Sequence, residues 1–380
     1  MYYSADDVLN HANANKWNCV FNYEYVNNIA EQLKLKDNIK LVIHVIEFTE
    51  NGNNSVNKKI LNDLKEEADF IEKHIKNDHN VSLDFIITKF GHATTNQVVD
   101  VIKDSNENNA INGIFILGDI PSRLNKDKIY SSIADNKDIM FSTNSLMSSV
   151  KAGEGGVFLR NIIPHDPKAA AVINLINHHI YTLDSKEDTD DYTDRLFGIE
   201  EERIFKKVVI YGDKNDIHVR YLSVMLAKRG VSNIKYADEE FKDDMKDASL
   251  LICMMNKPNS INEKDISKDC FVIDAGFGEW KENEYEDTLK KYPFHEYCID
   301  KDICGDFKGF SKPDNPFSTK QSFIGLYPPF EVEELMIKNM IRNTMYSYAY
   351  DNYSPSSITD MDKKEEEYTT DEVLTYGVFS

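Results

Sequence analysis

Three short apolar runs stand out in the second half of the chain: VVIY at 208–211, LLICM at 250–254 and FVIDAG at 271–276. Between the first two lies an amphipathic segment, His218 to Lys228, apolar at Val219, Leu222, Val224, Met225 and Leu226. Short apolar runs alternating with helical periods predict βαβ units on a parallel sheet. Gly212 closes the first run, where strand gives way to helix. A nucleotide-binding fold places its phosphate loop there, because free backbone N–H groups and the helix dipole converge at that point. The G-x-G-x-x-G fingerprint is missing, since Gly212 is followed by Asp213, Lys214, Asn215, Asp216, Ile217 and His218.

The first half repeats the alternation. The pattern predicts a helix over 22–35, a buried strand over 39–46, and a polar loop at 51–54. A long helix over 56–75 follows, apolar at Ile60, Leu64, Ala68, Ile71 and Ile75. A strand over 83–87, a helix over 96–104 and a strand over 111–117 complete a βαβαβ set. Asp166 before Pro167 marks a helix start, an N-cap with proline at the first helical position, and the pattern carries that helix to Ile176. Residues 181–203 are acidic and polar, read as an exposed insertion. A loop is expected over 304–312. A final helix is predicted over 329–348, with an apolar stripe at Val332, Leu335, Met336, Met340 and Ile341 that must be buried somewhere. From Asp351 the chain turns acidic and reads as a flexible tail. The expected fold is α/β: two α/β domains around a cleft, the second a Rossmann-type parallel sheet, with the C-terminal helix returning to the first domain. The first domain spans 1–165, completed by 329–348, the second spans 166–320, and the tail is 351–380.

Composition narrows the function. With 65 acidic against 44 basic residues the net charge is −21. Such a surface repels phosphate backbones, so nucleic acid is not an expected partner. The five cysteines, Cys19, Cys253, Cys270, Cys298 and Cys304, have no C-x-x-C spacing, which implies a reducing compartment and no structural zinc. No apolar run approaches membrane-spanning length and no signal peptide is evident, so no membrane partner is expected and the expected location is the cytoplasm.

A set of segments in serial order resembles the methylenetetrahydrofolate dehydrogenase/cyclohydrolase family. The family's "hGILVQLPLP" stands here as Asn112 to Pro121, and "KDVDGF" as Lys137-Asp138-Ile139-Met140-Phe141. "PCTP" is Pro164-His165-Asp166-Pro167, and "VVGRSxxVGxP" begins at Val209. "AVGKP" is Met254 to Pro258, "VIDVGIN" is Val272 to Gly278, "GDVDF" is echoed in Gly305-Asp306-Phe307, and the last helix ends Asn343-Thr344. The resemblance implies a folate-binding first domain, a Rossmann second domain, and homodimers paired through the latter. It implies oxidation of 5,10-methylenetetrahydrofolate by hydride transfer to NAD(P), then hydrolysis of the methenyl product.

Carried over residue by residue, the family's chemistry meets several departures. Lys59 stands at the acid/base lysine of the family's Tyr-x-x-x-Lys pair, but Ser55 replaces the tyrosine that stacks on folate. Leu117 stands where a glutamine positions that lysine, and Met140, or a gap beside it, where an aspartate grips the pterin. Neither can accept a hydrogen bond from a pterin N–H. The glycine-rich "PVPGGVGPMT" loop corresponds to Tyr327 to Met336, with Pro329, Phe330 and three glutamates. The cofactor-binding candidates are Gly212, Asp213, Lys214, Asp238 and Gly276. Asp213, Asp238 and Glu239 would crowd a 2′-phosphate, so a bound dinucleotide is expected to be NAD rather than NADP. His165-Asp166 reads as a helix start rather than a dyad, and His178-His179 as solvated histidines with no third ligand at a recognised spacing, so no metal is expected. Three readings stay open: an impaired or non-catalytic relative acting by binding, with a tetrahydrofolate-type ligand as one candidate; an active dehydrogenase with a rebuilt site; or a dehydrogenase of another small substrate.

Overall fold

The computed structural model describes residues 25–33, 35–36, 38–49, 55–74, 79–117, 120–143, 166–184, 206–228, 231–238, 242–255, 261, 265–266, 270–276, 280–281, 294–295, 325–327 and 329–352. The side chains of 55–59, 177–184 and 329–331 are outside this description, as are Glu239, the 51–54 and 304–312 loops, most of the acidic insertion and the tail beyond Asn352. The chain divides into two compact units, with boundaries at Pro167/Lys168 and Leu335/Met336.

In the first unit, helix α1 (Tyr25–Gln32) precedes β1 (Lys40–Phe48), α2 (Ser55–His74), β2 (Ser82–Phe90), α3 (Thr95–Glu107) and β3 (Gly113–Leu117). The strands form a parallel sheet of order β2-β1-β3. β1 is central and nearly all buried, as a parallel strand covered on both faces must be. Val42, Ile46 and Phe48 pack against Val98, Val99 and Ile102 of α3. On α2, Ile60, Leu64, Ala68 and Ile71 are buried at helical spacing. α3 starts with a capping box, in which Thr94 and Gln97 satisfy each other's backbone N–H. A short helix, α4 (Lys126–Tyr130), leads into a 3-10 turn at Asp135–Lys137.

His44 is a polar residue in the middle of this core. Ser105 Oγ donates to the Val101 carbonyl at 2.8 Å, so it can only accept from His44 Nδ1, 2.6 Å away. Nε2 then accepts from Thr88 Oγ1 at 2.8 Å. The partners thereby fix the neutral Nδ1–H tautomer, and burial lowers the imidazole pKa.

The second unit begins with α5 (Pro167–Asp184). It starts at Pro167, as the Asp-Pro signal implies, but runs eight residues beyond the expected end. The apolar period fades after Ile176 while the backbone stays helical, so His178, His179 and the first residues of the expected insertion are helix. Then come β4 (Val208–Tyr211), α6 (Ile217–Lys228), β5 (Ile234–Ala237), β6 (Leu250–Cys253) and β7 (Phe271–Asp274). A two-stranded antiparallel pair, β8 (Trp280–Lys281) with β9 (Phe294–His295), precedes β10 (Gly325–Tyr327). The main sheet is parallel with order β10-β7-β6-β4-β5. Every residue of β4, β6 and β7 is buried. Cys253 and Cys270 lie in this core as free thiols, and burial pushes the Cys270 thiol up to about 12.

The last described helix, α7, runs Pro329–Asn352. Its residues from Met336 on belong to the first unit, where the returning helix is expected. Asn343 Nδ2 donates to the Ile139 carbonyl at 3.0 Å. A Cβ on Gly113, the first residue of β3, would meet Ile139 Cγ2 at 2.8 Å and Thr344 Oγ1 at 3.3 Å, so only glycine lets helix and turn approach the strand this closely. The helix outlasts its expected end at Tyr348. Asp351, read from sequence as the first tail residue, sits in its last turn and faces Lys137. A buried cation holds that turn in place, which no local acidity signal could reveal.

Candidate functional site

In the second sheet, β5 lies on one side of β4 and β6 on the other. That reversal is a topological switch point, and ligands of such sheets bind at the carboxyl ends of the strands there. The structure gathers the cofactor candidates along this edge. Gly212 follows β4, Asp238 follows β5 and Gly276 follows β7, with Met254 after β6. Backbone hydrogen bonds tie the ends together: Gly212 N to Ala237 O at 3.0 Å, Met254 N to Tyr211 O at 2.8 Å, and Ala275 N to Cys253 O at 2.8 Å. Gly212 is glycine for packing reasons, since a Cβ would meet Met254 Cβ at 3.1 Å and Val219 Cγ2 at 3.2 Å. Gly276 donates its N–H to Asp274 Oδ1 at 3.0 Å. Asp213, Lys214 and Asp238 are exposed.

Two carboxylates of the loop after Gly212 accept from amides that follow them. Asp213 Oδ1 accepts from Asn215 N at 2.9 Å and Asn215 Nδ2 at 3.1 Å. Asp216 Oδ1 accepts from His218 N at 2.8 Å and Val219 N at 3.2 Å. This is an N-cap on α6. The carboxylate thus lies on the His218 and Val219 amides at the positive dipole end of α6. The sequence signal for this role is an acidic residue, Asp216, just ahead of a helical period.

In the first sheet, Leu117 ends β3 and is buried. It pairs in register with Glu47 of β1, which pairs with Lys89 of β2, so the three side chains leave the same face. Lys89 Nζ meets Glu47 Oε2 at 2.9 Å, with the Glu47 side chain only 12% exposed. Both residues lie beyond the strands the pattern predicts, which end at Ile46 and Ile87, and only the longer observed strands and their register bring them together. Ser55 begins α2 and Lys59 lies in its second turn. Pro329 is the first residue of α7.

Met140 is half-buried, inside a turn that is tightly tied. Asp138 is fully buried; its Oδ2 accepts from Ser142 N at 2.6 Å and Thr143 N at 2.9 Å. Burial pushes its carboxyl up to about 6, against the pull of these backbone donors. Phe141 is buried with φ 59°, the left-handed region that glycine enters freely and a bulky residue does not. In the "KDVDGF" pattern a glycine follows the second aspartate. Phe141 thus stands in a conformation that a glycine would supply freely.

No protein-family model matches the chain. In sequence it is similar to the bifunctional protein FolD of Chlamydia muridarum, 25% identical over 189 residues, 48% of this chain and 57% of that protein. It is also similar to FolD of Clostridium botulinum, 24% identical over 200 residues, 52% of this chain and 61% of that protein. The chain thus spans about three fifths of the length of these curated relatives. In structure it is similar to the Trypanosoma brucei methylenetetrahydrofolate dehydrogenase-cyclohydrolase (FolD), solved with NADP and an inhibitor. The TM-score is 0.59 at 13% identity, covering 92% of this chain and 96% of that one. It is likewise similar to the Campylobacter jejuni enzyme, with TM-score 0.56 at 17% identity over 86% and 94% of the two chains. The chain has the FolD fold. Another structure with this fold is the NAD-dependent 5,10-methylenetetrahydrofolate dehydrogenase of Saccharomyces cerevisiae, TM-score 0.53 at 13% identity over 89% and 95%. Solved FolD-fold proteins therefore include both an NADP complex and an NAD-dependent enzyme. No described helix is long and apolar enough to cross a membrane.

Proposed function

We propose that this chain is a divergent FolD relative of one-carbon folate metabolism whose catalysis is strongly impaired and which acts by binding. The observation that carries this reading is the Asp216 carboxylate on the His218 and Val219 amides. To bind there, a pyrophosphate would have to displace a covalently tethered anion and sit beside Asp213. The folate side agrees. Leu117 and Met140 supply apolar groups where the resembled family has an amide and a carboxylate, and Ser55 supplies no aromatic face. Losing even one preorganised polar group typically costs ~10²–10³ in rate, and here several are replaced. We expect dehydrogenase and cyclohydrolase rates at least ~10³-fold below an ordinary family member. Any dinucleotide that binds is expected to be NAD, because Asp213 and Asp238 repel a 2′-phosphate. The expected assembly is a homodimer through the second unit, in the cytoplasm, without a metal.

The test is a spectrophotometric assay of the purified chain, with calorimetric titration of folate, NAD and NADP separately. Background turnover with no heat from either dinucleotide supports the proposal. Robust turnover abolished by Lys59→Ala overturns it. A second reading, a rebuilt active site, is favoured by one feature: Glu47, the register neighbour of Leu117, is paired with Lys89 of β2, which puts a carboxylate and an amine on that face of the sheet. Under that reading turnover is present and is lost on Lys89→Ala rather than on Lys59→Ala.

A further inference from the structure

The turn that carries Met140 is strained, and its ties run to the end of the chain's last helix. A bulky residue in the left-handed region persists only where its surroundings over-determine it. Four sets of contacts do so around Phe141. From within the turn, Asp138 Oδ2 takes the Ser142 and Thr143 amides. From β3, Ile114 bridges to Asp138. From the middle of α7, Asn343 donates to the Ile139 carbonyl. From its last turn, Asp351 accepts from Asn136 Nδ2 at 3.2 Å and faces Lys137 Nζ at 3.6 Å.

Lys137 is the hub. Its buried ammonium donates to the carbonyls of Ser105 at 3.3 Å, Asn106 at 2.9 Å and Asn108 at 3.0 Å, capping the C-terminal end of α3. Those bonds use its three protons, and Asp351 is the carboxylate that balances its charge. Burial works against both members, lowering the Lys137 pKa and raising that of Asp351.

We propose that the last turn of α7 is a clasp: through Asp351 it holds residues 136–143 in their strained shape, and opening it relaxes the turn on which Met140 sits. The state of the last turn of α7 is thereby coupled to the turn that, in the proposed function, faces the folate. Only the meaning of Met140 rests on that reading, since the coupling is measurable without any substrate.

The experiment is hydrogen exchange of the full chain, read by mass spectrometry at 136–143, at 348–352 and, as reference, at β1. In Asp351→Ala, exchange at 136–143 is expected to rise at least tenfold while β1 is unchanged. Asp351→Asn, which keeps the Asn136 contact but loses the charge, should fall between wild type and Asp351→Ala. Unchanged exchange at 136–143, or a uniform rise that includes β1, would overturn the clasp. Absent turnover in the enzyme assay leaves this result unaffected, so the two proposals fail separately.

Discussion

At the scale of single residues, two buried titratable groups in the first unit pull stability in opposite directions with pH. His44 is a base whose pKa is lowered by folding. The unfolded chain binds more protons below its ordinary value of 6.5, so this contribution is lost as pH falls through that value. Asp138 is an acid raised from 3.8 to about 6. Between those values the folded chain holds the extra proton, so stability falls as pH rises through that window and the full cost is present above it. A shift of this size corresponds to roughly 3 kcal/mol. Asn at 138 keeps an oxygen for the Ser142 and Thr143 amides without the charge. Asp138→Asn should therefore gain on the wild type by ~2–3 kcal/mol between pH 4 and pH 8, measured by urea unfolding across that range. A constant difference would mean that the Asp138 carboxylate is not desolvated as described. Gly113 gives a second residue-scale test. Gly113→Ala drives a methyl into Ile139 and Thr344 and should cost ~1–3 kcal/mol, the usual penalty of overpacking. No alternation or periodicity in the sequence exposes such a requirement, because it is set by a turn and a helix far along the chain.

At the scale of elements, most strands and helices were legible, because parallel strands buried on both faces are continuous apolar runs and helices carry a clear period. The limits of reading show at the ends. α5 and α7 continue past their last periodic apolar residues, since a helix ends where its carbonyls find other partners and not where burial ends. The Gly212 loop shows the same divide at a functional position. Its place on the sheet was readable, whereas the use of Asp216 as a cap depended on side-chain geometry. Separating the two roles of Asp216 gives a prediction. Asp216→Ser retains a capping oxygen and removes the charge, so stability should change by only a few tenths of a kcal/mol, while Asp216→Ala should cost ~0.5–2 kcal/mol. If the carboxylate is what excludes phosphate, Asp216→Ser should bind NAD measurably in a fluorescence titration where the wild type does not. Equal NAD binding by both proteins would remove the Asp216 argument for impairment.

At the scale of the molecule, the FolD fold was recognisable from the serial order of weak motifs, and the same resemblance marks positions where this chain carries other residues than the family pattern. The substituted positions lie on separate elements of the first unit: Ser55 on α2, Leu117 on β3 and Met140 in the turn after Asp138. Polar groups that work together in one site are far from additive, since each is productive only when the others hold the reacting atoms in place. Ser55→Tyr, Leu117→Gln and Met140→Asp should each alone leave turnover near background. The triple variant should exceed the product of the three single effects. Leu117→Gln places an amide in a buried position and, without a ligand, should cost ~1–3 kcal/mol, so thermal unfolding of each variant must accompany the assay. Single substitutions that each raise the rate tenfold or more would show a site already organised for catalysis. A folded triple variant still at background would place the decisive block in the second unit, where the Asp216 and Asp213 carboxylates line the loop after β4.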